Sequence, residues 1–125
     1  MTAPKAAGNF KDLIAWQKAM QITALVYKLT SLFPADEKFG LVSQMRRASV
    51  SIPSNIAEGQ ARHTTGEFVQ FISHAEGSVA ELETQLLLCL NLGFAVSDQT
   101  GPVLSLLDEV RRMLNALRRS LVTRH

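Results

Sequence analysis

A chain of 125 residues is the size of one domain, and its 46% hydrophobic and 19% charged content supplies a single core and excludes a disordered chain. A net charge of +2 favours no class of partner by itself. The one cysteine, Cys89, excludes an intramolecular disulfide and a cysteine metal cluster, and no stretch approaches the roughly 20 apolar residues that span a bilayer.

Residues 1–9 are small and polar, read as a flexible N-terminus without the apolar core of a secretory signal. A cytoplasmic location is therefore expected. Residues 10–122 read as one all-α domain.

The first helix is predicted over residues 12–32. Ala15, Ala19, Ile22, Val26, Leu29 and Phe33 recur at alternating steps of four and three, and Pro34 ends the pattern. Trp16, Met20 and Tyr27 widen the stripe on one flank.

The second helix is predicted over 36–60, opening on Asp36 and Glu37, two acids suited to a positive helix terminus. Val42, Met45, Ser49, Ile52 and Ile56 form its seam, and Gly59 should stop it. Pro53 inside the pattern predicts a kink that frees the carbonyl of Ser49, with Ser51, Ser54 and Asn55 beside it to satisfy the loose groups.

The third helix is predicted over 64–92. Thr64 and Glu67 have the spacing of a capping box, and the seam runs Phe68, Ile72, Ala75, Val79, Leu82, Leu86, Cys89 to a stop at Gly93. Gly77, amid small residues, weakens a helix interior unless something packs closely on it. Cys89 reads as a small buried thiol.

The fourth helix is predicted over 98–121, with Pro102 in its first turn and Val103, Leu107, Val110, Leu114, Leu117 and Leu121 as its seam. The last residues, 122–125, should fray.

Seams near a 3.5-residue repeat with short connections predict an antiparallel up-down-up-down four-helix bundle. The first and third helices carry broader stripes than such a core needs, so self-association is expected to cover the surplus.

Charge alternates along the chain. Four lysines in residues 1–33 face only Asp12; residues 54–98 hold six acids and Arg62; residues 108–125 hold five arginines and two acids. Complementary pairing of neighbouring helices explains this, and so does a basic surface for RNA.

No chemistry of catalysis or metal binding emerges. Glu-x-x-His, the di-iron bundle motif, is absent, and His63, His74 and His125 share no ligand spacing. There is no phosphate loop and no nucleophile elbow. No enzyme activity, metal or cofactor is expected.

Two polar groupings remain as candidate sites. Arg47, Ser51, Asn55 and Glu58 form a stripe on the second helix, beside Gln44 and Arg46 and extended by Glu67 and Glu81; it is either a structural network or a binding groove. Arg111, Arg112, Arg118 and Arg119 on the fourth helix place positive charges roughly 10 Å apart at the helical rise. They form either a solvated face or, with Arg46 and Arg47, a sequence-independent phosphate-binding surface. No aromatic residue interleaves the fourth-helix arginines, which argues against base stacking there.

The run Phe10-Lys11-Asp12-Leu13-Ile14-Ala15-Trp16-Gln17-Lys18-Ala19 and the stretch Gln44-Met45-Arg46-Arg47-Ala48-Ser49-Val50-Ser51-Ile52-Pro53-Ser54-Asn55-Ile56-Ala57-Glu58-Gly59 resemble the four-helix proteins encoded in 23S rRNA intervening sequences. Glu67-Phe68, Gly77-Ser78 and residues 81–85 extend the resemblance over about residues 10–94. It implies a homopentameric ring and kinship with the accessory variability protein of diversity-generating retroelements. That relative binds nucleic acid and a reverse transcriptase. Arg46, Arg47, Ser51, Asn55, Glu58 and Glu67 match the signature, whereas the fourth-helix arginines fall outside it. The expected role is therefore a homo-oligomeric accessory protein that contacts RNA or a ribonucleoprotein. The alternative is a protein-interaction scaffold with no nucleic-acid role.

Overall fold

The structure, a computed structural model, describes residues 9–123. The expectations for residues 1–8, Arg124 and His125 lie outside them. The described chain forms four helices, α1 (Ile14–Thr30), α2 (Leu41–Gln60), α3 (Thr65–Leu92) and α4 (Ser97–Val122), and no β-strand. α1 packs on α2 and α4, and α3 packs on the same two, so α1 and α3 occupy opposite corners of the bundle.

The predicted seams are the core. Ile22, Val26, Met45, Ile52, Ile56, Ile72, Leu82, Leu86, Val110 and Leu114 are buried, as are the alanines and Cys89 on the same stripes. Leu117 is only half-buried, packed against the edge of this cluster. Because each stripe advances by three and four residues, all four helices present one apolar side inward.

Three boundaries differ from the sequence reading. Asn9 is an N-cap, its side chain accepting from the Lys11 amide at 2.9 Å, and a short 3-10 turn at Phe10–Asp12 precedes α1. Asp36 and Glu37 do not open α2; they lie in a second 3-10 turn, Ala35–Glu37, and α2 starts at Leu41. Glu37 acts on α2 from outside, its carboxylate 3.5 Å from the Leu41 amide at the positive end of the helix. Pro102 lies in the second turn of α4, not the first, because the helix already begins at Ser97. The Gln99 side chain accepts from the Val96 amide at 2.9 Å to hold that start.

Thr64 caps α3 as its spacing predicts, accepting from the Glu67 amide at 3.2 Å while its hydroxyl donates to the Glu67 carboxylate at 3.0 Å. Gly93 ends α3 with φ 78°, the left-handed conformation that glycine adopts without steric cost, and Phe94 N–H closes on the Cys89 carbonyl at 2.9 Å.

Two features of α2 depart from its residue pattern. The Ser49 carbonyl opposite Pro53 accepts a hydrogen bond from Thr23 of α1 at 2.8 Å, so the donor comes from a neighbouring helix and not from Ser51, Ser54 or Asn55. α2 ends at Gln60, where the sequence places its end, but Gly59 does more than help to stop it: it is buried as the penultimate residue, and a Cβ there would stand 2.8 Å from Phe71 Cβ and 2.8 Å from Phe68 Cδ1. Glycine lets α2 and α3 approach closely at this point. Gly77 is the reverse case: among the described residues, no atom beyond its own stretch of helix lies within 4 Å of where its Cβ would be.

Candidate functional site

The polar stripe of α2 divides into separate roles. Ser51 and Asn55 turn toward α3. Asn55 Nδ2 donates to the Ser51 carbonyl at 2.8 Å and to Ser51 Oγ at 2.9 Å, and Ser51 Oγ is hydrogen-bonded to Ser78 Oγ at 2.8 Å. A partly buried set of hydroxyls and one amide thus ties α2 to α3. Arg47 and Glu58 are exposed and, among the described residues, neither makes an ion pair. Glu67 serves the α3 cap. Glu81 accepts from Gln85 at 3.3 Å. Gln85 is itself buried, and its Oε1 has no hydrogen-bond partner among the described residues.

Arg46 is committed to the fold. Its Nε donates to Thr30 Oγ1 at 2.9 Å and its Nη2 to the Tyr27 carbonyl at 3.4 Å, while the guanidinium lies 4.6 Å from the centre of the Tyr27 ring. A cation held at the C-terminal turn of α1 suits the negative end of that helix.

The α4 arginines are not equivalent. Arg118 reaches α3, with Nε 3.0 Å from Glu76 Oε1, and donates to Asn115 at 2.9 Å. Arg111 and Arg112 both engage Asp108, Arg112 at 2.9 Å, and remain half-exposed or more. Arg119 is exposed and makes no ion pair among the described residues. Three of the four therefore point outward with a single acid between them, and the fourth is a strut. Lys18 of α1 pairs with Glu109 of α4 at 3.2 Å, so part of the alternating charge pairs neighbouring helices. Among the described residues no three His, Cys, Asp or Glu side chains converge on one point.

A groove of about 690 Å³ runs along the outside of α1 and α2, lined by Tyr27, Lys38, Phe39, Arg46, Arg47 and Val50 among others. The apolar periodicities do not foretell it, because Phe39 lies outside every helical stripe. With 89% of its surface exposed, Phe39 is the most exposed large apolar side chain described.

A family model for the 23S rRNA-intervening sequence proteins matches residues 11–116. The chain belongs to that family. The 23S rRNA-intervening sequence match takes in all of α1, α2 and α3 and most of α4, including Arg111 and Arg112 but not Arg118 and Arg119. It reaches further along the chain than the motif resemblance, which stops near residue 94.

Among solved structures the chain is similar to a protein of unknown function from the S23 ribosomal protein family of Bacteroides thetaiotaomicron VPI-5482. The two share 18% identity with a TM-score of 0.76, over 84% of this chain and 98% of that one. At that identity the likeness establishes the shared bundle alone. No curated protein matches the chain. Among the described residues no helix is long and apolar enough to cross a membrane.

Proposed function

We propose that this family member is a non-enzymatic, self-associating accessory protein of the cytoplasm that binds RNA or a ribonucleoprotein through the outward face of α4. The observation that carries the reading is the trio Arg111, Arg112 and Arg119, exposed on one helix and balanced by Asp108 alone. A ring of copies, five on the family resemblance, would repeat this face, so weak phosphate contacts would add. The family's description sets its members in a ribosomal-RNA context, which supports RNA over other polyanions. The kinship with retroelement accessory proteins that the motif resemblance implies would make a reverse transcriptase a further candidate partner.

The test is RNA binding across a salt series, comparing the natural protein with Arg111→Ala/Arg112→Ala/Arg119→Ala. Arg118 is left in place because it braces α3. Each phosphate that the variant leaves unneutralised should flatten the log–log salt slope by roughly 0.7 to 0.9. Unchanged affinity and slope in a folded triple variant would discard the α4 assignment. Negligible RNA binding at low salt by an intact oligomer would instead favour the scaffold reading, for which the exposed apolar groove of α1 and α2 speaks.

A further inference from the structure

Two surfaces of the subunit are unsatisfied, and they complement each other. The first is the α1–α2 face. Next to the 690 Å³ groove lies a second hollow of about 350 Å³, lined by Trp16, Met20, Val50 and Pro53 among others. Val50 borders both, so the two hollows adjoin and together make up the α1–α2 trough. Phe39, Met20, Tyr27 and Val50 are 41% to 89% exposed there. The charges along the trough are basic: Lys38 and Arg47 make no ion pair among the described residues, Arg46 is held against Tyr27, and no acid lines either hollow.

The second surface is the outer side of α3, on the opposite corner from α1. Gly77, Ala80 and Thr84 form an exposed low strip that leads to Leu87 and Leu88, which are 48% and 43% exposed. The charges here are acidic: Glu81 and Glu83 are exposed and make no ion pair among the described residues. An interior glycine weakens a helix, and nothing inside the subunit uses the space above Gly77. On α2 the same residue type, Gly59, is met by close packing, so the fold does exploit glycine where a neighbour approaches.

We infer that the outer face of α3 in one copy docks into the α1–α2 trough of the next copy. This rests on the self-association part of the reading above and adds which surfaces meet. The protruding Phe39 and Tyr27 find a low strip of small residues, Leu87 and Leu88 find hollows, and Arg47 and Lys38 face Glu81 and Glu83 at the rim. The apolar contacts supply affinity, and the rim charges fix partner and register. Since the two surfaces are different, the contact is head-to-tail and propagates from copy to copy until the rotation closes it into a ring.

The experiment uses two full-length variants with changes at exposed positions only. Phe39→Glu/Arg47→Glu blocks the trough, and Leu87→Glu/Leu88→Glu blocks α3. Should the leucine variant lose helicity by circular dichroism, Ala80→Arg serves in its place. Mass is read by light scattering. The natural protein should be an oligomer, and each variant alone a 13.7 kDa monomer. An equimolar mixture should give a dimer and nothing larger, because one intact trough and one intact α3 face remain between the two chains. A mixture that stays monomeric overturns the pairing. If both folded variants keep the natural mass, copies assemble through other surfaces, so the pairing falls while self-association stands. A natural protein that is monomeric throughout removes both. Variants that assemble normally but lose RNA would make RNA the occupant of the trough and overturn the pairing.

Discussion

Replacing Gly59 by alanine probes the close approach of α2 and α3. Helix propensity favours alanine by about 1 kcal/mol at an interior position, and by only a few tenths at the penultimate residue of α2. Against that, the new Cβ would stand 2.8 Å from two carbons of α3, where contacts normally rest at about 3.5 to 4.0 Å. One of those carbons is Phe71 Cβ, fixed to the backbone, so a rotamer change cannot relieve it. The other belongs to the ring of buried Phe68. Relief requires α3 to move outward by roughly an ångström, which loosens the packing of Phe68 and strains its neighbours. Overpacking of this kind costs about 1 to 3 kcal/mol, occasionally more, and here it must act against the propensity gain. We expect a net loss of about 1 to 2 kcal/mol, a fall in melting temperature of roughly 4 to 8 °C for a domain of this size. Urea unfolding followed by circular dichroism measures it, with Gly77→Ala as the companion under dilute conditions. Among the described residues no atom beyond its own stretch of helix lies within 4 Å of the Gly77 Cβ position, so that variant should gain about 1 kcal/mol. A Gly59→Ala protein as stable as the natural one would refute the close approach of α2 and α3.

Thr23→Val should cost about 1 to 3 kcal/mol by leaving the Ser49 carbonyl without its donor, and the loss should shrink in a Pro53→Ala background, where residue 53 regains an amide to serve that carbonyl. A double-mutant cycle with no coupling would contradict the pairing. Gln85→Met should raise stability by about 1 kcal/mol in urea titration, because it removes a buried, unpartnered oxygen at similar volume; a loss would mean that Gln85 is satisfied by a partner. Burial pushes the Cys89 thiol up to about 11, with a smaller push from Glu37, while its own backbone lowers it. A raised folded pKa means that the neutral thiol stabilises the fold fully below about pH 9, the ordinary value from which it is raised, and that this contribution fades as pH rises toward 11. Cys89→Ala should therefore lose less stability than the natural protein between those limits, and identical alkaline profiles would count against it.

The fold was legible because its information is local and periodic. Apolar residues at steps of three and four mark which side of each helix turns inward, and every seam position is buried except Leu117 near the end of α4. Caps such as Thr64 and stops such as Gly93 were legible for the same reason, since each acts within one turn. What depended on a second helix was not. Asp36 and Glu37 have the composition of a helix start, yet the chain spends them in a 3-10 turn whose position sets the entry of α2. Thr23 became the donor for Ser49 only through packing of α1 on α2, and the close packing at Gly59 was hidden because its partners lie on α3.

The candidate site was less legible still. The spacing of Arg111, Arg112, Arg118 and Arg119 placed four charges along one helix, but pairing is decided across helices. Glu76 takes Arg118, and Thr30 and Tyr27 take Arg46, leaving Arg47 and Arg119 as the arginines of the two candidate groupings without a hydrogen bond or ion pair among the described residues. The α1–α2 trough is made by residues from a turn and two helices, a combination that no single periodicity encodes.

The central claim is that copies of this bundle assemble and that assembly multiplies a weak positive face into an RNA-binding one. Light scattering of the purified protein, with and without a structured RNA, across a salt series, tests both halves at once. The account predicts a mass several times 13.7 kDa without RNA, binding at low salt, and release with a log–log slope steeper than the three outward α4 arginines of one subunit could give. A mass of 13.7 kDa at every concentration, or binding whose strength ignores salt, would contradict it.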